Sequence, residues 1–498
     1  MEIKYDNKII DTIDLKALLV SRGVKVSNGI YKKYKGQVRL SPNPLECNTI
    51  IFPDETIVQL TDLAFHMDYI KSAISWNTLK QLRYFSQIKT DFRLDFDDSD
   101  NPAIFHKKQK LVNITFLKPT DFYKQKTSTG IPFIGNAVLQ GTQWLSFQLL
   151  WKCDYAYAGE PCQYCYSGGE LDNLKKRKKK LPFYPTPEDI AEIVEYAVIK
   201  DKYVDSIQIT GGSTFNVQAE CDKIKAILDA INKRVGRENI KGEILIYTTP
   251  PKNPEMVDQL FEAGADRISM SLEIWDEELA KKIMPGKMKY TGRQRHLDAL
   301  EYVAKKYGKG KACSNFIIGL EPADSVLKGA EYLASKGIVP IASVWIPFGR
   351  PVLGSMKAPD FEYYQKVKNG LADIYCKYGL VPPGAKGLNV CMCRDIYQQV
   401  IKHTDSHHHR VVTEMMKIKI LGANCSNCNT LEKNTRIAVY DLNLEAEIEK
   451  IGEIDKILSY SVLRTPALII NEKVISSGEV PNVSEIKNIL KAYTKNPL

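Results

Sequence analysis

The chain has 498 residues, of which 44% are hydrophobic, and its formal net charge at pH 7 is +10. This length predicts about three domains, and the composition is typical of globular proteins with a sizeable apolar core. The first residues, MEIKYDNKIIDTIDLK, lack the apolar stretch of a signal peptide, and no run approaches the ~18 uncharged apolar residues of a membrane helix, so we expect neither.

Residues 1–125 mix short strand-like runs with turn residues, which predicts an α+β region. The runs lie at Gln37–Leu40, Thr49–Phe52 and Ile57–Leu60, and a helical pattern follows Leu60. No pattern of side chains in this region points to a particular chemistry, so its role stays open.

From about residue 140 strands and helices alternate, which predicts parallel strands in an α/β domain. The strand candidates are Trp144–Trp151, Ser206–Thr210, Ile244–Thr248, Arg267–Glu273, Cys313–Gly319 and Val339–Ile346. The clearest helix begins at Thr186-Pro187, a capping residue followed by proline at the first helical position. Six such units predict a partial (β/α)6 barrel of the TIM type over residues 126–400, with its chemistry at the C-terminal ends of the strands.

Three cysteines follow the first of these strands: Cys153, Cys162 and Cys165, the last two spaced C-x-x-C around Tyr164. A cubane iron–sulfur cluster has four irons, so three protein thiolates leave one iron open for a chelating ligand. A structural zinc loop is an alternative, but zinc sites usually add a fourth ligand from a second Cys or His pair, and none lies nearby in the sequence. Unligated thiols are the remaining alternative.

This cysteine loop, placed directly after an apolar strand, resembles the signature of the radical SAM superfamily, although its first two cysteines are farther apart than usual. The resemblance implies a 4Fe-4S cluster on the three cysteines and S-adenosylmethionine (SAM) chelated to the open iron, with Tyr164 beside the cofactor. The stretch Gly211-Gly212-Ser213, which ends the second strand, is similar to the family's GGE motif, which holds the methionine amino group. Ser213 replaces the glutamate, so recognition of the amine there would be neutral.

The later strands resemble biotin synthase and its radical SAM relatives over residues 140–360. Ser271 and Glu273 lie on one face of the fourth strand, and Glu273 looks like the ribose contact, because ribose hydroxyls are suitable donors to a buried carboxylate. The segment Cys313–Glu321 is similar to a biotin synthase segment, which implies a place for Gly319 at the cofactor. Either Arg293 or Arg295 is expected to reach the methionine carboxylate, and we take Arg295 as the candidate.

Biotin synthase also holds a second cluster on three cysteines, and only Cys313 matches them, so sulfur insertion by that route is not expected. Cys391-Met-Cys393 is a candidate for an auxiliary metal or cluster, but two ligands do not make a site. The basic run Lys175–Lys180 is more typical of a solvated loop than of a nucleic-acid site, because no aromatic residues interleave with it. His407–His409 fall in the expected linker, residues 401–415.

The chain starts a new pattern at residue 416. A strand is followed by Cys425-Ser-Asn-Cys428 and a helix, and the pair Thr465-Pro466 precedes two further strands. Amides at a helix N-terminus stabilise a thiolate, so Cys425 is the expected nucleophile and Cys428 its resolving partner. Residues 416–498 thus resemble a small thioredoxin-like domain with a cis-proline facing the dithiol; a zinc pair is the alternative.

Together these patterns predict an α/β chain with an N-terminal α+β region, a radical SAM partial barrel and a thioredoxin-like domain. The expected function is reductive cleavage of SAM to a 5′-deoxyadenosyl radical that abstracts hydrogen from a small substrate, assisted by the redox-active dithiol. The expected partners are that small molecule and a low-potential electron donor such as ferredoxin or flavodoxin, with neither nucleic acid nor membrane. The alternatives are an iron–sulfur electron-transfer protein and a tRNA-modifying radical SAM enzyme.

Eleven cysteines and an oxygen-sensitive open-iron cluster favour a reducing, anaerobic cytoplasm.

Overall fold

The protein forms two compact units, Met1–Gln398 and Gln399–Leu498. The computed structural model describes residues 1–34, 48–60, 90–117, 120–134, 136–141, 143–150, 153–165, 185–345, 353, 356–384, 391–399, 416–422, 426–442, 446–460, 462, 464–471 and 473–495. The features predicted at Gln37–Leu40, just after Leu60, at Lys175–Lys180, at His407–His409 and at Cys425 lie outside these residues.

The N-terminal part of the first unit mixes helices with small sheets, as the sequence predicts. Its strands are β1 (Ile3–Tyr5), β2 (Lys8–Ile10), β3 (Lys25–Val26), β4 (Asn48–Ile51), β5 (Ile57–Leu60), β6 (Phe92–Phe96), β7 (Pro102–His106), β8 (Gln109–Asn113) and β9 (Thr115–Phe116). They form a β1-β2 hairpin and two sheets ordered β3-β6-β7-β8 and β5-β4-β9. The helices are Thr12–Arg22 and Asn28–Tyr34, and Asp11 caps the first of them in a capping box with Asp14.

A seven-stranded sheet dominates the first unit. Its strands are β10 (Val138–Gln140), β11 (Trp144–Leu150), β12 (Ser206–Gly211), β13 (Ile244–Tyr247), β14 (Arg267–Ser269), β15 (Ala312–Ile318) and β16 (Val339–Val344). They lie side by side in sequence order; β10 is antiparallel to β11, and the other six strands are parallel. This is the predicted partial (β/α)6 barrel, with one antiparallel strand added at its edge.

Amphipathic helices connect the parallel strands. They span Asp154–Tyr157, Pro187–Glu195, Val217–Arg234, Asp258–Glu262, Glu277–Ile283, Pro285–Tyr290, Gly292–Tyr307, Ala323–Ser335 and Phe361–Tyr378, and residues 393–399 are also helical. Thr186 forms a capping box with Asp189 at the helix predicted most clearly, and the apolar stripe of that helix is buried. β14 is shorter than predicted. It ends at Ser269, and pairing with β15 resumes only in an isolated bridge between Glu273 and Phe316.

The second unit is a four-stranded sheet with helices. Its strands β17 (Met416–Leu421), β18 (Ala446–Ile451), β19 (Ala467–Ile470) and β20 (Lys473–Ser477) are ordered β18-β17-β19-β20, and its helices are Ser426–Asp441, Ile454–Ser459 and Val483–Lys495. β18 is parallel to β17, and the other pairs are antiparallel. The Thr465–Pro466 peptide bond is cis, as predicted. None of the helices in the described part of the chain is long and apolar enough to cross a membrane.

Candidate functional site

The cysteine loop lies at the C-terminal ends of the barrel strands. Cys153 follows β11 and precedes the short helix Asp154–Tyr157, and the backbone N–H of Asp154 donates to the carbonyl of Ser213, 2.8 Å away, just beyond β12. The carboxylate of Asp154 also accepts from the hydroxyl of Thr214 at 3.0 Å. These bonds join the loop to the glycine turn, although the two are about sixty residues apart in sequence.

The three thiols influence one another electrostatically. Burial raises the pKa of Cys162 to about 12, the nearby Lys287 ammonium opposes this, and the thiols of Cys165 and Cys153 add to it. Cys162 and Cys165 are linked by a turn in which the Cys165 N–H donates to the Cys162 carbonyl at 3.2 Å. A buried thiolate therefore needs a nearby positive charge, which metal ligation supplies.

Among the described residues, no three His, Cys, Asp or Glu side chains converge on a single metal ion. The thiolates of a cubane cluster bind three different irons, so their sulfurs need not meet around one ion. The donor set of Cys153, Cys162 and Cys165 therefore fits a 4Fe-4S cluster in its chemistry.

Five of the predicted cofactor residues line one pocket: Gly211, Gly212, Ser213, Ser271 and Glu273. Its other walls are Thr210, Glu220, Tyr247, Thr248, Thr249, Pro250, Ser269, Lys287, Thr291 and His296. The residues come from the ends of β12, β13 and β14 and from the helices that follow them. The pocket is thus a polar cavity at the C-terminal face of the barrel.

Three other candidates lie outside that lining. Tyr164 packs beside Cys162, and its hydroxyl donates to the sulfur of Met284 at 3.4 Å. Arg295 has a buried Nε that makes no hydrogen bond, and Gly319 has a φ of +108° and donates its N–H to the hydroxyl of Tyr363 at 2.8 Å. Arg293, the alternative to Arg295, stacks 4.0 Å from the centre of the Trp275 ring.

Glu273 is held by contacts on both sides. Its Oε1 lies 3.3 Å from the ammonium of Lys287, and its Oε2 accepts from the side-chain amide of Asn315 at 3.1 Å. Lys287 also donates to the carbonyl of Ser271 at 2.9 Å. Burial alone would lower the pKa of Lys287, but the Glu273 carboxylate and then the Cys162 thiol outweigh it and raise the pKa. Glu273 has a φ of +66°, which is strained for a residue with a side chain.

Sequence reasoning missed Lys287 and Glu220. Glu220 is 6% exposed, and Thr249 donates its N–H to Glu220 Oε2 at 3.3 Å. Burial raises the pKa of Glu220 to about 7, against the hydrogen bonds from Thr249 and Thr248, and no cationic side chain of the described residues contributes. The sequence did contain a signal for Glu220, because this carboxylate occupies the apolar stripe of its helix with Val217, Cys221 and Ile224. Lys287 lies in a short helix with no such pattern.

The second unit contains the remaining predicted residues. Cys428 is buried in the first turn of the helix Ser426–Asp441, and a Cβ added to Gly422 would lie 2.5 Å from its sulfur and 3.3 Å from Cβ of Thr465. Cys428 therefore lies close to the cis-proline turn. Cys425 falls outside the described residues.

Comparisons with known proteins agree with these two units. The profile of the radical SAM superfamily matches residues 153–334, and that of the thioredoxin domain matches residues 416–491. Over 289 residues, 56% of this chain and 72% of the relative, the sequence is 24% identical to the bacteriochlorophyllide c C-7(1)-hydroxylase of Chlorobaculum limnaeum. Over 76 residues, 15% of this chain and 99% of the relative, it is 46% identical to a thioredoxin of Methanothermobacter thermautotrophicus.

Among solved structures, HydG, a maturase of the FeFe-hydrogenase, matches 48% of this chain and 51% of its own with 14% identity and a TM-score of 0.36. Members of the radical SAM superfamily use a 4Fe-4S cluster and SAM. The chain therefore contains a radical SAM domain, matched over residues 153–334, and a thioredoxin domain at residues 416–491.

Proposed function

We propose that this enzyme cleaves SAM reductively at the C-terminal face of its barrel and abstracts hydrogen from a small-molecule substrate, with the C-terminal dithiol as a redox assistant. The observation that carries the proposal is the bond between Asp154 N–H and the Ser213 carbonyl. It brings the cysteine loop to the edge of a polar pocket lined by the glycine turn and Glu273.

Cys153, Cys162 and Cys165 are the proposed cluster ligands. When bound there, the cluster and SAM supply one-electron cleavage of a carbon–sulfur bond and hence a 5′-deoxyadenosyl radical. Burial of Cys162 raises the pKa of its thiol, so ligation by iron offsets the cost of the buried thiolate. Tyr164 packs against Cys162 and would shield the ligand from water.

Glu220 is the proposed partner of the methionine ammonium group. The family motif places a carboxylate where this chain has Ser213, and Glu220 supplies one in the same pocket, beside Gly211 and Gly212. Its carboxylate is buried without a cation, so an ammonium group would offset the cost of ionising it. The glycines allow the backbone of the turn to approach the ligand closely.

Glu273 is the proposed acceptor for the ribose hydroxyls, with Ser271 beside it. Lys287 pairs with one oxygen of the Glu273 carboxylate, and Asn315 donates to the other and fixes its orientation. Arg295 is the proposed partner of the methionine carboxylate, because its buried Nε makes no hydrogen bond. Gly319 directly follows β15, and its N–H donates to the hydroxyl of Tyr363, which anchors the end of that strand.

The substrate is proposed only as a small molecule with a carbon–hydrogen bond to break. The Chlorobaculum relative supports this, because its name is that of a hydroxylase acting at a carbon position. A one-electron step needs a donor of low potential, so we propose ferredoxin or flavodoxin as the reductant.

Anaerobic reconstitution with iron and sulfide tests the proposal. We expect about four irons per chain, an EPR signal of the reduced protein that changes when SAM is added, and formation of 5′-deoxyadenosine with dithionite. The triple Cys→Ala variant at Cys153, Cys162 and Cys165 should lose iron and stay folded, whereas Cys376→Ser, at an exposed thiol outside the site, should keep both iron and activity. Zinc in place of iron, or an EPR spectrum indifferent to SAM, would contradict the proposal.

A further inference from the structure

Two cysteines outside the cluster loop lie beside β16, the last strand of the barrel sheet. Cys391 forms an antiparallel bridge with Ser343 of β16. The Met392 N–H donates to the carbonyl of Ala342 at 3.1 Å, and the sulfur of Cys393 lies 2.8 Å from the backbone nitrogen of Ala342. Residues 391–393 therefore lie beside β16, with Cys391 in an isolated bridge and Cys393 at the start of the helix 393–399.

Cys391 belongs to the face of the sheet that bears the pocket. Directly paired residues of antiparallel strands share a face, so Cys391 lies on the side of Ser343. The Ser343 hydroxyl donates to Asn315 Oδ1 at 2.8 Å, and the amide of Asn315 donates to Glu273. Two hydrogen bonds thus run from Ser343, the bridge partner of Cys391, to Glu273 in the pocket.

The pKa of Tyr247, a residue of the pocket, also indicates that the cysteine pair lies nearby. The phenol of Tyr247, which lines the pocket, has a pKa raised well above its ordinary value, first by burial and then by the charges of Cys391, Cys313, Glu273 and Cys393. The pair and Glu273 therefore both lie within electrostatic reach of one side chain.

The two thiols interact directly. Cys393 donates a side-chain hydrogen bond to Cys391, and its backbone N–H lies 3.4 Å from the Cys391 sulfur. This thiol–thiol hydrogen bond is the largest cause of the lowered pKa of Cys391. The ammonium of Lys16 also lowers this pKa, whereas burial and the carboxylate of Asp395 raise it. Cys393 is 1% exposed, and its pKa is raised by burial. Unequal thiols in contact are the arrangement found in redox-active pairs, in which one sulfur attacks and the other resolves.

The other cysteines of the barrel provide a contrast. Cys221 and Cys313 are fully buried, and burial raises the pKa of each to about 12. No other thiol contributes to either shift. Among the described cysteines of the barrel outside the cluster loop, only Cys391 and Cys393 interact with each other, and Cys391 is a partly exposed residue.

We propose that Cys391 and Cys393 are a second redox-active pair, and that a dithiol of the thioredoxin type reduces the disulfide that they form. A low-molecular-weight disulfide oxidises the pair: the Cys391 thiolate attacks one of its sulfurs, releasing one thiol, and Cys393 then displaces the second. In the reverse step a thiolate of the reducing dithiol attacks the 391–393 bond, and its partner thiol resolves the mixed disulfide. Two electrons and two protons pass to Cys391 and Cys393, and the donor becomes a disulfide.

Two sources of the dithiol are possible, the Cys425–Cys428 pair of this chain and a separate thioredoxin. The first is on the same polypeptide, so its exchange would not depend on protein concentration. This proposal is independent of the assignment of the SAM site, because neither cysteine is a proposed cluster ligand.

The test begins with the full chain under anaerobic conditions, treated with oxidised glutathione. After alkylation of the remaining thiols, mass spectrometry of the tryptic peptide Gly387–Arg394 should show an internal disulfide. Cys393→Ser should carry glutathione on Cys391 instead, and Cys376→Ser should behave as wild type. The absence of an internal disulfide in wild type, or loss of iron from reconstituted Cys391→Ser, would overturn the proposal, the latter because it would make Cys391 a metal ligand.

The second measurement records the rate at which that disulfide is reduced. With a reductant for thioredoxins present, we expect reduction in the wild type at a rate independent of protein concentration, and roughly tenfold or more slower reduction in Cys425→Ser. If a separate thioredoxin restores the rate of Cys425→Ser, and wild type also depends on it, the separate protein is the source. A disulfide that neither dithiol reduces would refute the proposal, whatever the outcome of the SAM assays.

Discussion

At the scale of single residues, the charged side chains of the pocket come from positions other than those that the family motif predicts. The glycine turn lacks the expected glutamate at Ser213, and a carboxylate enters the same pocket from the next helix, at Glu220. Likewise, Glu273 pairs with Lys287, a partner that neither strand periodicity nor the family motif predicts. The charged groups of this pocket therefore depend on which helices contribute side chains to its lining.

Glu220→Gln should weaken SAM binding while preserving the fold. The substitution keeps the shape but removes a charge-assisted hydrogen bond worth about 1.5–3 kcal/mol, so the Kd for SAM should rise roughly tenfold or more. Calorimetric titration of the reconstituted enzyme measures this. The melting temperature should stay equal or rise, since the variant lacks a carboxylate that is costly to bury; a lower melting temperature with unchanged SAM affinity would make Glu220 purely structural.

The pH dependence provides a second test of Glu220. Its pKa in the folded chain, about 7, lies above the ordinary 4.5, so the stability gained from the protonated form is full below about pH 4.5 and is lost as the pH rises through 7. An ammonium ligand favours the ionised form, so SAM affinity should increase between about pH 5 and pH 7 with release of a proton. Glu220→Gln should flatten this slope. An equal slope in wild type and variant would refute the assignment.

At the scale of elements, helices that follow β14 hold the cysteine loop. Gln163 donates its N–H to the carbonyl of Ile283 at 2.8 Å, and Gly286 donates to the carbonyl of Glu160 at 3.2 Å. A Cβ on Gly286 would clash with that carbonyl and lie 2.8 Å from Cβ of Tyr155. Only glycine allows the helix Pro285–Tyr290 to approach the loop so closely.

Gly286→Ala should therefore impair the cluster loop specifically. Overpacking costs about 1–3 kcal/mol, and here it displaces a backbone carbonyl between the first and second cysteines. We expect less bound iron after reconstitution, measured by iron assay, and a modest drop in melting temperature. Gly370→Ala is the matched control, because its Cβ would meet only the flexible side chain of Leu327, 2.5 Å away, so iron content should not change. Equal iron in both variants would contradict this account.

At the scale of the whole molecule, the N-terminal helix Thr12–Arg22 is anchored to the barrel within the first unit. The ammonium of Lys16 lies 2.6 Å from Asp395 Oδ2, and both side chains are buried. Lys368 binds Asp11 and Asp14, each at 2.6 Å. These pairs join elements that are more than 350 residues apart in sequence, which explains why residues 1–125 do not separate from the barrel as a compact unit of their own.

Lys16→Met should destabilise the first unit by about 3–5 kcal/mol, because it leaves the buried carboxylate of Asp395 without a partner. Lys8→Met is the control; Lys8 pairs with Glu362 on the surface, where both side chains are at least half exposed and solvent screens the pair, so we expect no measurable loss of stability. Differential scanning calorimetry should show a shifted transition for the first unit and an unshifted one for the thioredoxin domain. A similar shift in both variants would mean that burial does not distinguish the two pairs.

The sequence by itself determined the elements whose signals are local. The alternation of strands and helices, the capping box at Thr186 and the apolar stripe after it depend on neighbouring residues, and the barrel has the predicted order. The cis bond before Pro466 and the thioredoxin domain were also readable, because a short motif and a strand pattern specify them.

Only the tertiary structure decided which side chains share the pocket. Glu220, Lys287 and Glu273 come from three separate segments, and the strand predicted to reach Glu273 ends at Ser269, where the backbone leaves the sheet before Glu273 adopts its positive φ. The contact of Cys391 with β16 and the ion pair of Lys16 with Asp395 likewise join distant parts of the chain. Periodicity specifies which face of an element is buried, whereas the partners across a pocket depend on packing between elements far apart in sequence, which no local pattern encodes.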